Sequence, residues 1–208
     1  MQSKRISSLC VSVLIAFSLS CAHGQVVAAG HENRVHFPVE VGVSVSDFNM
    51  DWGKDQYGGQ HREDGVTAWI NTDIPLLSHA LKGLALEIEG RDINFSHPVY
   101  LSKLRNDTIL GGATYTWRSS LPIRPYAKFL AGMGSIDFPS DNPKYTHDTR
   151  AVTAPGVGVE ARIHGPFWVR GDYEYQFWRK LFGLNSLTPN GFSFGVEFDS
   201  RTLGQNQY

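Results

Sequence analysis

The residues of this sequence best placed to do chemistry are charged side chains spaced two apart. Glu87, Glu89 and Arg91 form one such run, Arg170, Asp172 and Glu174 another, and Glu160 and Arg162 a third, with Lys128 and Glu197 standing singly. In an extended chain successive side chains point to opposite sides, so a spacing of two gathers each run on one face. Carboxylates and cationic groups held on one face can pair, share protons or bind water. Of the eight histidines, His23 falls in the N-terminal stretch that reads as a signal, and His31, His36, His61, His79, His97, His147 and His164 fall in expected loops, turns or tails. No two of them have zinc-ligand spacing with further ligands nearby. No glycine-rich loop opens a helix, as a phosphate site would need. The reading is therefore no catalytic residues, no cofactor-binding residues and no metal site.

The faces opposite the charges define the elements. From Phe167 onward, Val169, Gly171, Tyr173, Tyr175 and Phe177 alternate with Arg170, Asp172, Glu174 and Gln176. After a polar loop, Phe192, Phe194, Val196 and Phe198 alternate with Ser193, Gly195 and Glu197. Strict period-2 alternation marks strands. One face suits hydrocarbon, and the other carries ions that need partners. In long strands this contrast suits a transmembrane β-barrel.

The same rhythm predicts eight strands, at about residues 37–47, 66–73, 84–93, 108–117, 124–134, 150–163, 167–178 and 191–198. In the first, Val39, Val41, Val43 and Val45 alternate with Glu40, Gly42, Ser44 and Ser46. Trp69 and Ile70 are neighbours and cannot share a face, which leaves the facing of the second strand open. Leu130 interrupts the polar face of the fifth. Long polar loops at 48–65, 94–107, 135–149 and 179–190 alternate with short turns, the asymmetry of an up-and-down barrel in an outer membrane. Trp52, Trp117, Trp168 and Trp178 fall at or beyond strand ends, where an interfacial aromatic girdle lies.

The N-terminus reads as export. Lys4 and Arg5 precede an apolar run from Val11 to Leu19, too short to span a bilayer as a helix, and Ala22-His23-Gly24 has the form of a cleavage site. Cys21 raises a lipoprotein alternative. The expected organisation is a signal peptide at 1–24, a periplasmic N-terminal segment at 25–36, a barrel at 37–198 and a polar tail at 199–208. Both cysteines, Cys10 and Cys21, leave with the signal, so no disulfide is expected. The 19 Lys and Arg less Lys4 and Arg5 give 17 bases against 20 acids, no footprint for nucleic acid.

At this point the chain resembles a family. Residues 37–198, with the stretch Ala154-Pro155-Gly156-Val157-Gly158-Val159-Glu160 and the final Gly191-Phe192-Ser193-Phe194-Gly195-Val196-Glu197-Phe198, resemble the small eight-stranded outer-membrane β-barrels of Gram-negative bacteria. These include the transmembrane domain of outer membrane protein A and the opacity-type surface proteins. The resemblance implies an all-β, eight-stranded antiparallel up-and-down transmembrane β-barrel with a structural or adhesion-like surface role. Its partners would be outer-membrane lipid, the outer-membrane assembly machinery and an external ligand engaged through the loops. In that family a terminal aromatic is read during assembly. Here ten residues follow Phe198, so Phe198 and Tyr208 are both candidates. Phe192, Phe194, Val196 and Phe198 are expected to face lipid. Glu87, Glu89, Arg91, Lys128, Glu160, Arg162, Arg170, Asp172, Glu174 and Glu197 are expected inside as a charge network that plugs the barrel, with Arg170 bridging to Glu197 and Glu160. Two alternatives stand beside this: a soluble lipocalin-like carrier, whose apolar face would line a ligand cavity, and a lipid A-modifying barrel enzyme, for which no His and Ser pair on one strand is found.

Overall fold

The computed structural model describes residues 38–51, 62–74, 83–96, 105–117, 121–137, 142–183 and 186–201. The expected signal and N-terminal segments, Trp52, the five histidines from His31 to His97, the centres of the first three long loops and the tail beyond Arg201 lie outside these residues. The chain folds into a closed, eight-stranded antiparallel barrel. Its staves are β1 (Val39–Asn49), β2 (Arg62–Asp73), β3 (Leu84–Ser96), β4 (Arg105–Thr116), β5 (Ile123–Asp137), β6 (His147–His164) and β7 (Phe167–Tyr175), with β9 (Asn190–Asp199) last. A two-residue strand, β8 (Phe177–Trp178), continues the line of β7 along β6. Each stave pairs with the next, and β9 pairs with β1 from Glu40↔Asp199 to Asn49↔Asn190, so the ring of eight staves closes. Closure matters because a bilayer offers no water to satisfy an unpaired strand.

Most strands run further toward the long-loop rim than the sequence suggests. β1 and β2 stay paired to Asn49↔Arg62, inside the expected loop at 48–65. Polar composition signals a loop, yet these residues keep their ladder beyond the apolar belt, and Arg62 Nε donates to Asp47 Oδ1 at 2.9 Å. β4 likewise begins at Arg105 and β6 at His147.

The two faces separate cleanly. Val43, Val45, Ile88, Ile109, Phe129, Val157, Phe192 and Phe194 are exposed on the outside. Ile70 is outside and Trp69 inside, which fixes the facing of β2. A soluble carrier needs the opposite arrangement, with its apolar face lining the cavity, so the lipocalin-like alternative fails on this point. A girdle built from four tryptophans also fails. Trp117 is exposed at the end of β4, whereas Trp168 and Trp178 are buried inside the barrel. They share strand parity with Arg170, Asp172 and Glu174 and must point the same way. Two glycines make room for inward rings. A Cβ at Gly42 would collide with the Trp69 indole, and one at Gly134 with that of Trp178.

Phe194 lies mid-strand on β9 and is 62% exposed. Phe194→Arg should cost about 2–4 kcal/mol of folding free energy into lipid vesicles, the range for a cation near the midplane of a barrel. Arg at the adjacent inward Ser193, which hydrogen-bonds Ser46 at 2.9 Å, should fail by overcrowding. Equal and negligible effects at both positions would contradict the facing.

Candidate functional site

The inward side chains form three layers. Nearest the long-loop rim the interior is largely apolar, with Glu63 on β2 and Asn106 on β4 buried there as well. Leu110, Leu130, Ile136, Val152, Ala154, Trp178 and Leu181 pack together, with Phe48, Met50 and Ile93 as a second cluster. Leu130 therefore does not interrupt the inward face of β5; it shares parity with Tyr126 and Lys128 and is fully buried. The charged inward face expected from sequence covers only the remainder of the barrel.

The middle layer is a continuous network. Arg170 on β7 reaches across the barrel to Glu87 on β3 and donates from Nη1 to Oε2 at 2.8 Å and from Nη2 to Oε1 at 3.0 Å. Its Nε donates to the Tyr126 hydroxyl at 2.6 Å, and that hydroxyl donates to Asp172 at 2.9 Å. The guanidinium lies 4.6 Å from the Trp69 ring and 4.4 Å from the Tyr126 ring. Arg91 on β3 answers in the reverse direction. Its Nη1 donates to Glu174 on β7 at 2.6 Å and its Nη2 to Glu89 at 2.8 Å. Lys128 on β5 sits among three acids, with Nζ 2.6 Å from Glu89, 2.8 Å from Glu174 and 3.3 Å from Asp172. Gln176 ties this layer to the apolar one, donating to Glu174 and accepting from Trp178 Nε1, both at 2.9 Å. All of these charged groups are buried, so each needs its partners.

The layer nearest the short turns is acidic. Glu40, Glu160, Glu197 and Asp199 are buried there with Arg124. Arg124 donates to Asp199 from both terminal nitrogens, at 3.3 and 3.2 Å, and its guanidinium lies 3.3 Å from the Trp168 ring. Arg201, just past β9, pairs with Asp73 at 2.7 Å, with Asp199 at 2.8 Å and with Glu40.

Two charged side chains depart from expectation. Arg162 is not in the interior. It is exposed at the end of β6, where the pairing with β7 slips between Arg162 and His164, and its Nε donates to the Gly165 carbonyl at 3.0 Å. Arg170 is not hydrogen-bonded to Glu197 or Glu160. Its bidentate acceptor is Glu87, four staves away around the barrel. Arg170 and the other eight expected interior charges are buried, and Phe192, Phe194 and Val196 are outside, with Phe198 partly buried. Sequence reasoning missed Glu40, Arg124, Tyr126 and Asp199 as interior polar groups. Parity with Gly42, Lys128 and Glu197 was the available signal.

A closed antiparallel barrel, apolar outside and ionic within, defines an outer-membrane β-barrel protein. The sequence matches the outer membrane protein beta-barrel domain family over residues 12–199, and the chain belongs to that family, whose place is the outer membrane of Gram-negative bacteria. Among solved structures it is similar to Neisserial surface protein A (NspA), with 13% identity, a TM-score of 0.58, and coverage of 81% of this chain and 99% of that one. It is also similar to OprG from Pseudomonas aeruginosa, at 9% identity and a TM-score of 0.49 over 78% of this chain and 95% of that one. A third is Ail, the attachment invasion locus protein of Yersinia pestis, at 16% identity and a TM-score of 0.48 over 77% and 95%. No curated protein sequence matches the chain.

Removing one partner of a buried ion pair costs about 3–5 kcal/mol. Arg170→Ala should therefore lower the thermal unfolding midpoint far more than Arg179→Ala, whose side chain is exposed beyond β8. Equal midpoints for the two variants, followed by heat-dependent gel mobility, would contradict the network.

Proposed function

We propose that this chain is a surface-exposed outer-membrane barrel with a structural or adhesion-like role and no catalytic one, closed to general permeation. The observation that carries the reading is the ionic network spanning β3, β5 and β7 beneath an apolar layer. An eight-stranded barrel is only wide enough for side chains to fill. Chemistry offered to the outside would then come from the long loops at 48–65, 94–107, 135–149 and 179–190, with an external ligand as partner. Described parts of the last loop support a fixed shape there. Trp178 exchanges backbone hydrogen bonds with Leu187, and Thr188 N donates to Asp51 at 3.2 Å. On this reading residues 1–24 are a cleaved signal, lipid covers the outer face, and the assembly machinery reads the aromatic end of β9.

Purified monomer in planar bilayers should give at most small, flickering conductance. Large, stable, porin-like steps would overturn the closed-barrel reading.

The end of β9 gives a separate test. Asp199 and Arg201 are tied into the barrel interior, so truncation should fall after Arg201. That truncation should leave outer-membrane insertion intact, and Phe198→Ala should impair it. The reverse pair of results would make Tyr208 the recognised aromatic.

A further inference from the structure

The acidic layer at the short-turn end is only partly neutralised by the groups around it. Glu40 on β1, Glu160 on β6 and Glu197 on β9 each present a carboxylate oxygen, and these oxygens lie within 4.8 Å of one another. All three residues are 2% exposed. Both oxygens of Glu197, and Oε2 of Glu160, accept no hydrogen bond. Burying an ionised carboxylate without donors is costly, and a group left this way needs a proton or a cation. The nearby cations leave Glu160 and Glu197 without an ion pair, whereas Glu40 is paired with Arg201 and, at 3.8 Å, with Arg124. Arg170 is held bidentate by Glu87, Arg124 by Asp199, and Arg201 by Asp73, Asp199 and Glu40. Around the cluster stand five carboxylates, those of Glu40, Glu160, Glu197, Asp199 and Asp73, against two guanidinium groups, those of Arg124 and Arg201.

We propose that Glu40, Glu160 and Glu197 bind one hard divalent cation, Ca²⁺, inside the short-turn end of the barrel. Three carboxylates from three strands, with no His or Cys among them, form an all-oxygen set that suits Ca²⁺, Mg²⁺ or Mn²⁺ over softer metals. Oxygens at this spacing can close on an ion at about 2.3–2.6 Å, and Ca²⁺ accepts irregular geometry with water completing its shell. Mg²⁺ demands a near-ideal octahedron that three strand-fixed glutamates do not offer. A divalent ion also reduces the local excess of three negative charges to one, which a monovalent ion does not. Entry is short: Glu40 is the second residue of β1 and Glu197 the third from the end of β9. The ion would join β1, β6 and β9 across the seam where the barrel closes.

The test uses the full chain folded in phosphocholine vesicles, free of lipopolysaccharide and anionic lipid. Millimolar CaCl₂ should raise the thermal midpoint by several degrees over EDTA, as binding to the folded state alone requires. Mg²⁺ should do less. Trp168, paired with Glu197 across β7 and β9, should sensitise Tb³⁺ emission that saturates at one ion per chain and is displaced by Ca²⁺. Glu197→Gln and Glu160→Gln should each weaken Tb³⁺ binding at least tenfold, while Asp137→Asn at the opposite rim should not. The wild-type measurements decide the matter even where a variant fails to fold. Identical midpoints in Ca²⁺ and EDTA without saturable emission would overturn the proposal. So would stability that rises with acidification and ignores Ca²⁺, the mark of a shared proton.

Discussion

Arg170 and Glu87 meet across the inside of a barrel whose β3 and β7 lie on opposite sides. Much else depends on that contact. Closing eight strands satisfies every stave edge but leaves an interior that side chains must fill. A guanidinium placed there, away from bulk water, is tolerable only where acceptors surround it. Glu87, Tyr126 and Asp172 supply them, with the Trp69 and Tyr126 rings on its faces. Arg91 and Glu174 repeat the crossing in the opposite sense, and Lys128 joins the two crossings through Glu89, Asp172 and Glu174.

This network and the outer face enforce the same register. Slipping β7 by one residue would turn Arg170, Asp172 and Glu174 toward hydrocarbon and bring Val169, Gly171 and Tyr173 inside. The membrane penalises the first exchange, and the second takes Arg170 from Glu87 and Glu174 from Arg91. Hydrophobic burial in lipid and ionic pairing in the interior thus select one alignment. The largely apolar layer above is tied to the network through Gln176, which passes the hydrogen-bond chain from Glu174 to Trp178. The acidic layer below departs from local neutrality, because its arginines are drawn to the strand ends by Asp199 and Asp73.

The fold was legible because alternation in β1, β7 and β9 is a local property, set by a pleat of period two. The fifth strand was read less well. Leu130 and Lys128 differ in polarity yet share a face, since the interior changes from ionic to apolar along the barrel axis, which no local pattern encodes. Trp168 and Trp178 stand near strand ends, but parity with Arg170 and Glu174 is the stronger guide to their direction. The partner of Arg170 was not legible at all. Adjacent-strand reasoning points to Glu160, its register partner on β6, whereas the bidentate acceptor is 83 residues away in sequence and half a turn around the barrel. Arg162 has the right parity but lies where the β6–β7 pairing becomes irregular, so parity ceases to fix its direction.

The central claim is that the interior is held by a directed ion pair across the barrel, and a double-mutant cycle on Arg170 and Glu87 tests it most directly. Arg170→Met, Glu87→Leu and the double variant would be compared by reversible unfolding from lipid vesicles. Each single change leaves one buried charge without its partner, and the double change removes both. A coupling energy of about 1–3 kcal/mol, with the double variant more stable than the sum of the single losses requires, is the predicted result. Additivity within about 0.5 kcal/mol would contradict it.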